Sequence, residues 1–204
     1  MKSTLTTREK TSRMVRIALL MALEVVLTLL YIPVGTINLN FGLIPIVIAA
    51  IFLGPGAGVI VGGVSGVVTA VQMFTVPNIF YELLLIENPA AACVLCVVKT
   101  AAAGLAVAYI YKLMDKVCKY FTVNTLVAAI VCPVMNTGIF AAGMFLVFGD
   151  ALVNHPVIST WGVGLAGIVF VGLIGANFFV ELLLVALVSP ALCKALQAAK
   201  IFSK

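Results

Sequence analysis

Long apolar runs, broken by short polar stretches, predict six helices along the chain. The first runs from about Met14 to Ile32, where Pro33 stops it. Residues 34–40 alternate apolar and polar positions, which suits a locally extended segment. A short second helix covers about Phe41–Leu53, the Gly54-Pro55-Gly56 turn follows, and a third helix covers about Ala57–Phe74. Residues 75–88 lack regular apolar spacing and read as a loop. The fourth helix spans about Pro89–Met114 and the fifth about Asn124–Phe148, separated by a polar turn at 115–123. After a loop at 149–160, the sixth begins near Trp161, a suitable interfacial anchor, and runs to about Val188, with Pro190 placed to kink it. The expectation is an all-α membrane protein: six transmembrane helices in one bundle, forming a single integral membrane domain over residues 1–204. Residues 1–13 and 191–204 read as tails.

Composition agrees. Of 204 residues, 64% are hydrophobic and 9% charged, where a soluble domain carries about 25% charged. The length suits one bundle of about six helices of roughly 20 residues each. The first run is too long for a signal-peptide core and ends in no small-residue cleavage site, so it reads as a retained span.

Charge then orients the bundle. Lys2, Arg8, Lys10, Arg13, Arg16, Lys112, Lys116, Lys119, Lys194, Lys200 and Lys204 all fall on the side of the termini, eleven of the twelve basic residues. The opposite loops carry Glu82, Glu87 and Asp150. By the positive-inside rule both termini are cytoplasmic. The net charge of +5 therefore reflects topology and contact with anionic membrane lipid, and implies no nucleic-acid partner. Cys93 and Cys96 have a CxxC spacing but lie in an apolar helix without companion ligands, so the five cysteines read as small core residues and no metal site is expected.

Lys99 is the twelfth basic residue, about ten residues, or roughly 15 Å, into the fourth helix. A charge at the centre of a span costs about 2.5–3.5 kcal/mol on insertion scales, so it should face the protein interior. Glu24, Gln72, Asn136, Thr137, Asn177 and Glu181 also interrupt apolar spans and should point inward. Asn177 and Glu181 share a helix face, and Asn136-Thr137 follows Pro133, where the fifth helix can bend. By depth, Gln72 falls near the outer end and Asn136 near the middle, with Glu24 and Glu181 deeper toward the cytoplasm. Two readings of Lys99 stand: an internal ion pair with Glu24 or Glu181, or the wall of an outward-opening pocket for an anionic or polar solute. His155 reads as a solvated loop residue.

Glycine recurs every fourth residue at Gly54, Gly58, Gly62 and Gly66, baring one face of the third helix for close packing. Ala18 and Ala22 form a similar small face on the first helix, open to either internal packing or a partner. No nucleophile–base pairing, HExxH, phosphate-binding loop or dinucleotide glycine motif is present, so no catalytic residues, cofactor or ATP hydrolysis are expected.

Several stretches together are familiar: Arg13-x-x-Arg16-Ile17-Ala18-x-x-x-Ala22, Leu43 to Gly58, Asn88-Pro89 through Lys99-Thr100 and Gly104 to Tyr111, Cys132-Pro133-Val134-Met135-Asn136-Thr137-Gly138, and Asn177 to Glu181. Their order and spacing over residues 13–195 resemble the substrate-binding (S) components of energy-coupling factor (ECF) vitamin importers. The resemblance implies a subunit in a bacterial cell membrane that captures a vitamin-like solute at the outer face. It further implies a transmembrane coupling subunit, docked on Ala18 and Ala22, and two cytosolic ATPase subunits. Loops at 34–40, 75–88 and 149–160 would close over the solute. The Asn136-Thr137 pair with Lys99 looks most like the pantothenate-type members. Candidate solute-binding residues are Lys99, Asn136, Thr137, Gln72, Asn38, Asn40, Tyr81 and Asn177. Alternatives are a riboflavin or other vitamin subunit, a stand-alone secondary carrier, for which no internal repeat is visible, and an intramembrane enzyme using Glu24, Lys99 and Glu181.

Overall fold

The computed structural model describes residues 6–30, 32–34, 37–39, 41–160, 162–170 and 175–201. Helix α1 covers Thr7–Leu29. It starts seven residues earlier than the apolar pattern predicts because Thr6 and Glu9 form a reciprocal capping box. The Thr6 amide donates to Glu9 Oε2 at 2.7 Å, and the Glu9 amide donates to Thr6 Oγ1 at 3.3 Å. Part of the predicted N-terminal tail is therefore helical. An antiparallel hairpin follows, β1 (Ile32–Val34) and β2 (Ile37–Leu39), with Pro33 opposite Asn38. Helix α2 (Leu43–Leu53) ends at Gly54, whose φ of +87° suits glycine, and Pro55 opens α3 (Pro55–Thr75).

The predicted loop at 75–88 instead contains α4 (Ile79–Glu87). Asn78 caps it, accepting from the Phe80 amide at 2.9 Å, and Phe80, Leu83 and Leu84 bury one face at helical spacing. Asn88 caps α5 (Pro89–Val117) in the same manner, accepting from the Ala91 amide at 3.0 Å. Helix α6 (Phe121–Val147) is followed by the short helices α7 (Gly149–Asn154), α8 (Pro156–Ser159) and α9 (Leu165–Gly167), then α10 (Gly175–Ala198). Residues 162–164, expected inside the sixth helix, are not helical, while α10 ends ten residues beyond the expected Val188, in the stretch expected to be a tail. Trp161 lies outside the described residues.

Among the described residues, four helices are long and apolar enough to cross a membrane: Pro55–Thr75, Pro89–Val117, Phe121–Val147 and Phe178–Ala198. Helix α2, at 11 residues, is about 16 Å long, half the thickness of a hydrocarbon core. It is apolar on all sides, and every residue from Leu43 to Ala50 is buried, so it packs as a central rod among α1, α3, α5, α6 and α10. Arg13 on α1 donates from Nη2 to the Leu53 carbonyl at 2.9 Å, satisfying an orphan carbonyl at the end of α2 with a cation.

The glycine face of α3 lies against α5. A Cβ at Gly58 would stand 2.7 Å from the Gly104 carbonyl oxygen, and one at Gly66 would stand 2.6 Å from that of Cys96. Backbone meets backbone along this seam, which makes Gly58, Gly62 and Gly66 an internal packing device, while a Cβ at Gly54 would meet nothing within 4 Å.

Candidate functional site

Two apolar cores occupy opposite ends of the bundle. The one beside the termini gathers Leu20, most of α2, Val61, Ala103, Val107, Ala128, Cys132 and Val185. The other gathers Met73, Phe80, Leu84, Cys96, Met144, Phe148, Leu152 and Ile158, so α4, α7 and α8 help to cover that end. Polar residues fall between them. On α5 the far core ends at Cys96 and the near one begins at Ala103, with Lys99 and Thr100 in between. On α6, Asn136 and Thr137 separate Met135 from Phe140; on α3, Ser65 lies between Val61 and Ala70; on α10, Glu181 precedes Leu184. One layer at mid-depth therefore holds the buried Ser65, Thr100, Asn136 and Glu181 together with half-buried Lys99 and Thr137.

Lys99 is half-buried, with its Nζ 4.4 Å from the centroid of the Phe140 ring. Such a contact offsets part of a cation's dehydration without neutralising it. Among the described residues no carboxylate oxygen lies within 4.0 Å of that nitrogen. The direct ion pair with Glu24 or Glu181 is therefore not formed, although Glu181 lies near enough to feel the lysine's charge. Asn136, one turn before Phe140 on α6, is buried, and its Oδ1 has no hydrogen-bond partner. Thr137 beside it is half-buried. This side of the layer, built by α5, α6 and α10, presents a cation, an aromatic face and an unpaired acceptor together. It can hold an anionic group at Lys99 and an N–H or O–H donor at Asn136.

The other predicted residues divide. Gln72 is committed to packing: its Nε2 donates to the Thr28 carbonyl at 3.0 Å, joining α3 to α1. Glu24, expected deeper toward the cytoplasm, is bonded to Thr28, near the same end of α1 that Gln72 reaches, because α1 begins at Thr7 and Glu24 is then five residues from its far end. Tyr81 is half-buried on α4 and packs in the far core. Asn38 lies on β2, which borders α10, and Asn177 lies on α10; the side chains of both are outside the described residues, as is the whole of Asn40. His155, expected to be solvated, has a buried Nδ1 without a partner. Phe140 escaped the sequence reading, although its i+4 relation to Asn136 was visible.

Fold and layer together define a helical membrane protein built around an intramembrane polar site. A family model for the substrate-specific component of ECF transporters matches residues 12–193, and the chain belongs to that family, one of transporter components and not of enzymes. A solved structure of the S component of a bacterial ECF transporter shares the fold, with a TM-score of 0.61 at 18% identity, covering 96% of this chain and 99% of that one. No curated protein matches by sequence.

Proposed function

We propose that this chain captures a small anionic, vitamin-like solute, with pantothenate the first candidate, on the outer side of a bacterial plasma membrane. It would then deliver the solute to a transmembrane coupling subunit driven by two cytosolic ATPase subunits. The observation that carries the reading is Lys99: a half-buried ammonium at mid-depth, without a carboxylate partner, beside an unpaired Asn136 acceptor. Nothing in packing requires that arrangement, and a carboxylate-bearing solute with amide or hydroxyl donors completes it. Thr137, Tyr81, Asn38, Asn40 and Asn177 would surround the solute, with Gln72 holding α1 in place next to it.

Six spans with both termini cytoplasmic fit the charge distribution, with α1 and α2 completing the four longer helices. Ala18 and Ala22 are exposed on the face of α1 that also carries exposed Val15, Leu19 and Val26. That bare face suits close contact with the coupling subunit.

Native mass spectrometry and thermal-shift screening of the purified protein against B vitamins test the reading. Pantothenate should bind and stabilise the wild type and bind Lys99→Ala far more weakly. Stabilisation by riboflavin, equal in wild type and Lys99→Ala, would refute the anion site. Uptake by this chain alone in ATP-depleted vesicles would refute the dependence on partners.

A further inference from the structure

The α1–α3 side of the polar layer holds a second constellation, apart from Lys99 and Asn136. Glu24 is fully buried. Its Oε1 accepts from the Thr28 hydroxyl one turn later, and Ser65 of α3 lies close to the same carboxyl group without a hydrogen bond to its Oε2. Gln72 fixes Thr28 through its carbonyl. A Cβ at position 42 would stand 2.8 Å from Glu24 Oε1 and would collide with Thr28 Oγ1, so glycine there keeps the volume clear for oxygen atoms.

Glu24 Oε2, however, is buried without a partner, and among the described residues no lysine or arginine nitrogen lies within 4.0 Å of the carboxylate. An ionised carboxylate in this position is several kcal/mol unfavourable without a counter-charge. A proton on Oε2 would remove the charge but create a buried donor that makes no hydrogen bond among the described residues. A cation against Oε2 satisfies both the oxygen and the charge. Among the described residues every donor here is a hard oxygen, with no thiolate or imidazole, which disfavours a transition metal. One carboxylate balances one charge.

We propose that a sodium ion binds here, held by the Glu24 carboxylate, Thr28 Oγ1 and Ser65 Oγ. It fastens the far end of α1 to α3 just before the chain enters the β1–β2 hairpin.

The test compares melting temperatures of the detergent-purified full chain in sodium chloride and choline chloride, at equal ionic strength and fixed pH. At ten times its dissociation constant, sodium should raise the wild-type melting temperature by about 3–6 °C. The response should vanish in Glu24→Gln, which keeps the shape and removes the charge. In Ser65→Ala, which removes one ligand and no charge, it should shift to higher sodium concentration. Sodium-23 line broadening in the folded wild type gives an independent reading should Glu24→Gln fail to fold. A wild type that melts identically in both salts and shows no broadening overturns the proposal. So does a sodium response that survives in a folded Glu24→Gln. Stabilisation by acid alone, without a sodium response, would assign the position to a proton and likewise overturn it.

Discussion

Replacing Gly58 with alanine probes the α3–α5 seam, and Gly63→Ala on the same helix supplies the control. An alanine Cβ at 58 would stand 2.7 Å from the Gly104 carbonyl oxygen and 3.0 Å from the Ala50 Cβ, whereas nothing lies within 4 Å of a Cβ at 63. The close atoms at 58 include backbone, which cannot rotate away, so the helices must separate by a few tenths of an ångström along the contact. Overpacking of this kind costs about 1–3 kcal/mol. Both substitutions gain the same helix-propensity increment, roughly 0.8–1 kcal/mol, which cancels in the comparison. Gly58→Ala should therefore melt below Gly63→Ala by about 1–3 kcal/mol, or roughly 2–12 °C for a chain of this size. Thermal unfolding in one detergent, followed by circular dichroism, measures the gap. Equal melting temperatures, or Gly58→Ala the higher, would refute close backbone packing as the reason for glycine there.

Three other outcomes follow. Removing the ammonium in Lys99→Ala should weaken binding of an anionic solute by about 1.5–3 kcal/mol, roughly 10- to 150-fold, with the fold retained, as measured by calorimetry in detergent. Because Ala18 sits on a bare, exposed face, Ala18→Trp should block uptake in proteoliposomes carrying the coupling and ATPase subunits while solute binding survives; loss of both would indicate misfolding. The exposed Glu9 carboxyl is held below its ordinary value of 4.5, first by the Thr6 amide and then by the Thr6 hydroxyl. That contribution is present above about pH 4.5 and lost as pH falls through the lowered value. Hydrogen exchange should report fraying of the first turn of α1 in acid. In Glu9→Gln, which can still cap but cannot titrate, the protection of these amides relative to their intrinsic exchange should not change with pH.

Membrane class, long helices and charge asymmetry were legible in the chain because each is a one-dimensional property. An apolar run long enough to span a bilayer, or a lysine cluster at its end, means the same thing whatever packs beside it. The α3 glycines announced close approach for the same reason. Helix limits were harder to place: the start of α1 rests on a reciprocal bond between Thr6 and Glu9, and α4 on the Asn78 cap with three buried apolar residues. Both signals were present but weak beside the long apolar runs.

Sequence alone determined that a mid-span lysine must turn inward, since lipid offers its charge no partner. Only the tertiary structure decided what that lysine meets. Residues 99, 136, 140 and 181 come from three helices, and their juxtaposition depends on helix rotation and register, which no local pattern encodes. The same physical fact sent Gln72 to the Thr28 carbonyl and left Glu24 alone with Thr28 and Ser65: a buried polar group bonds to whatever the fold places within about 3 Å.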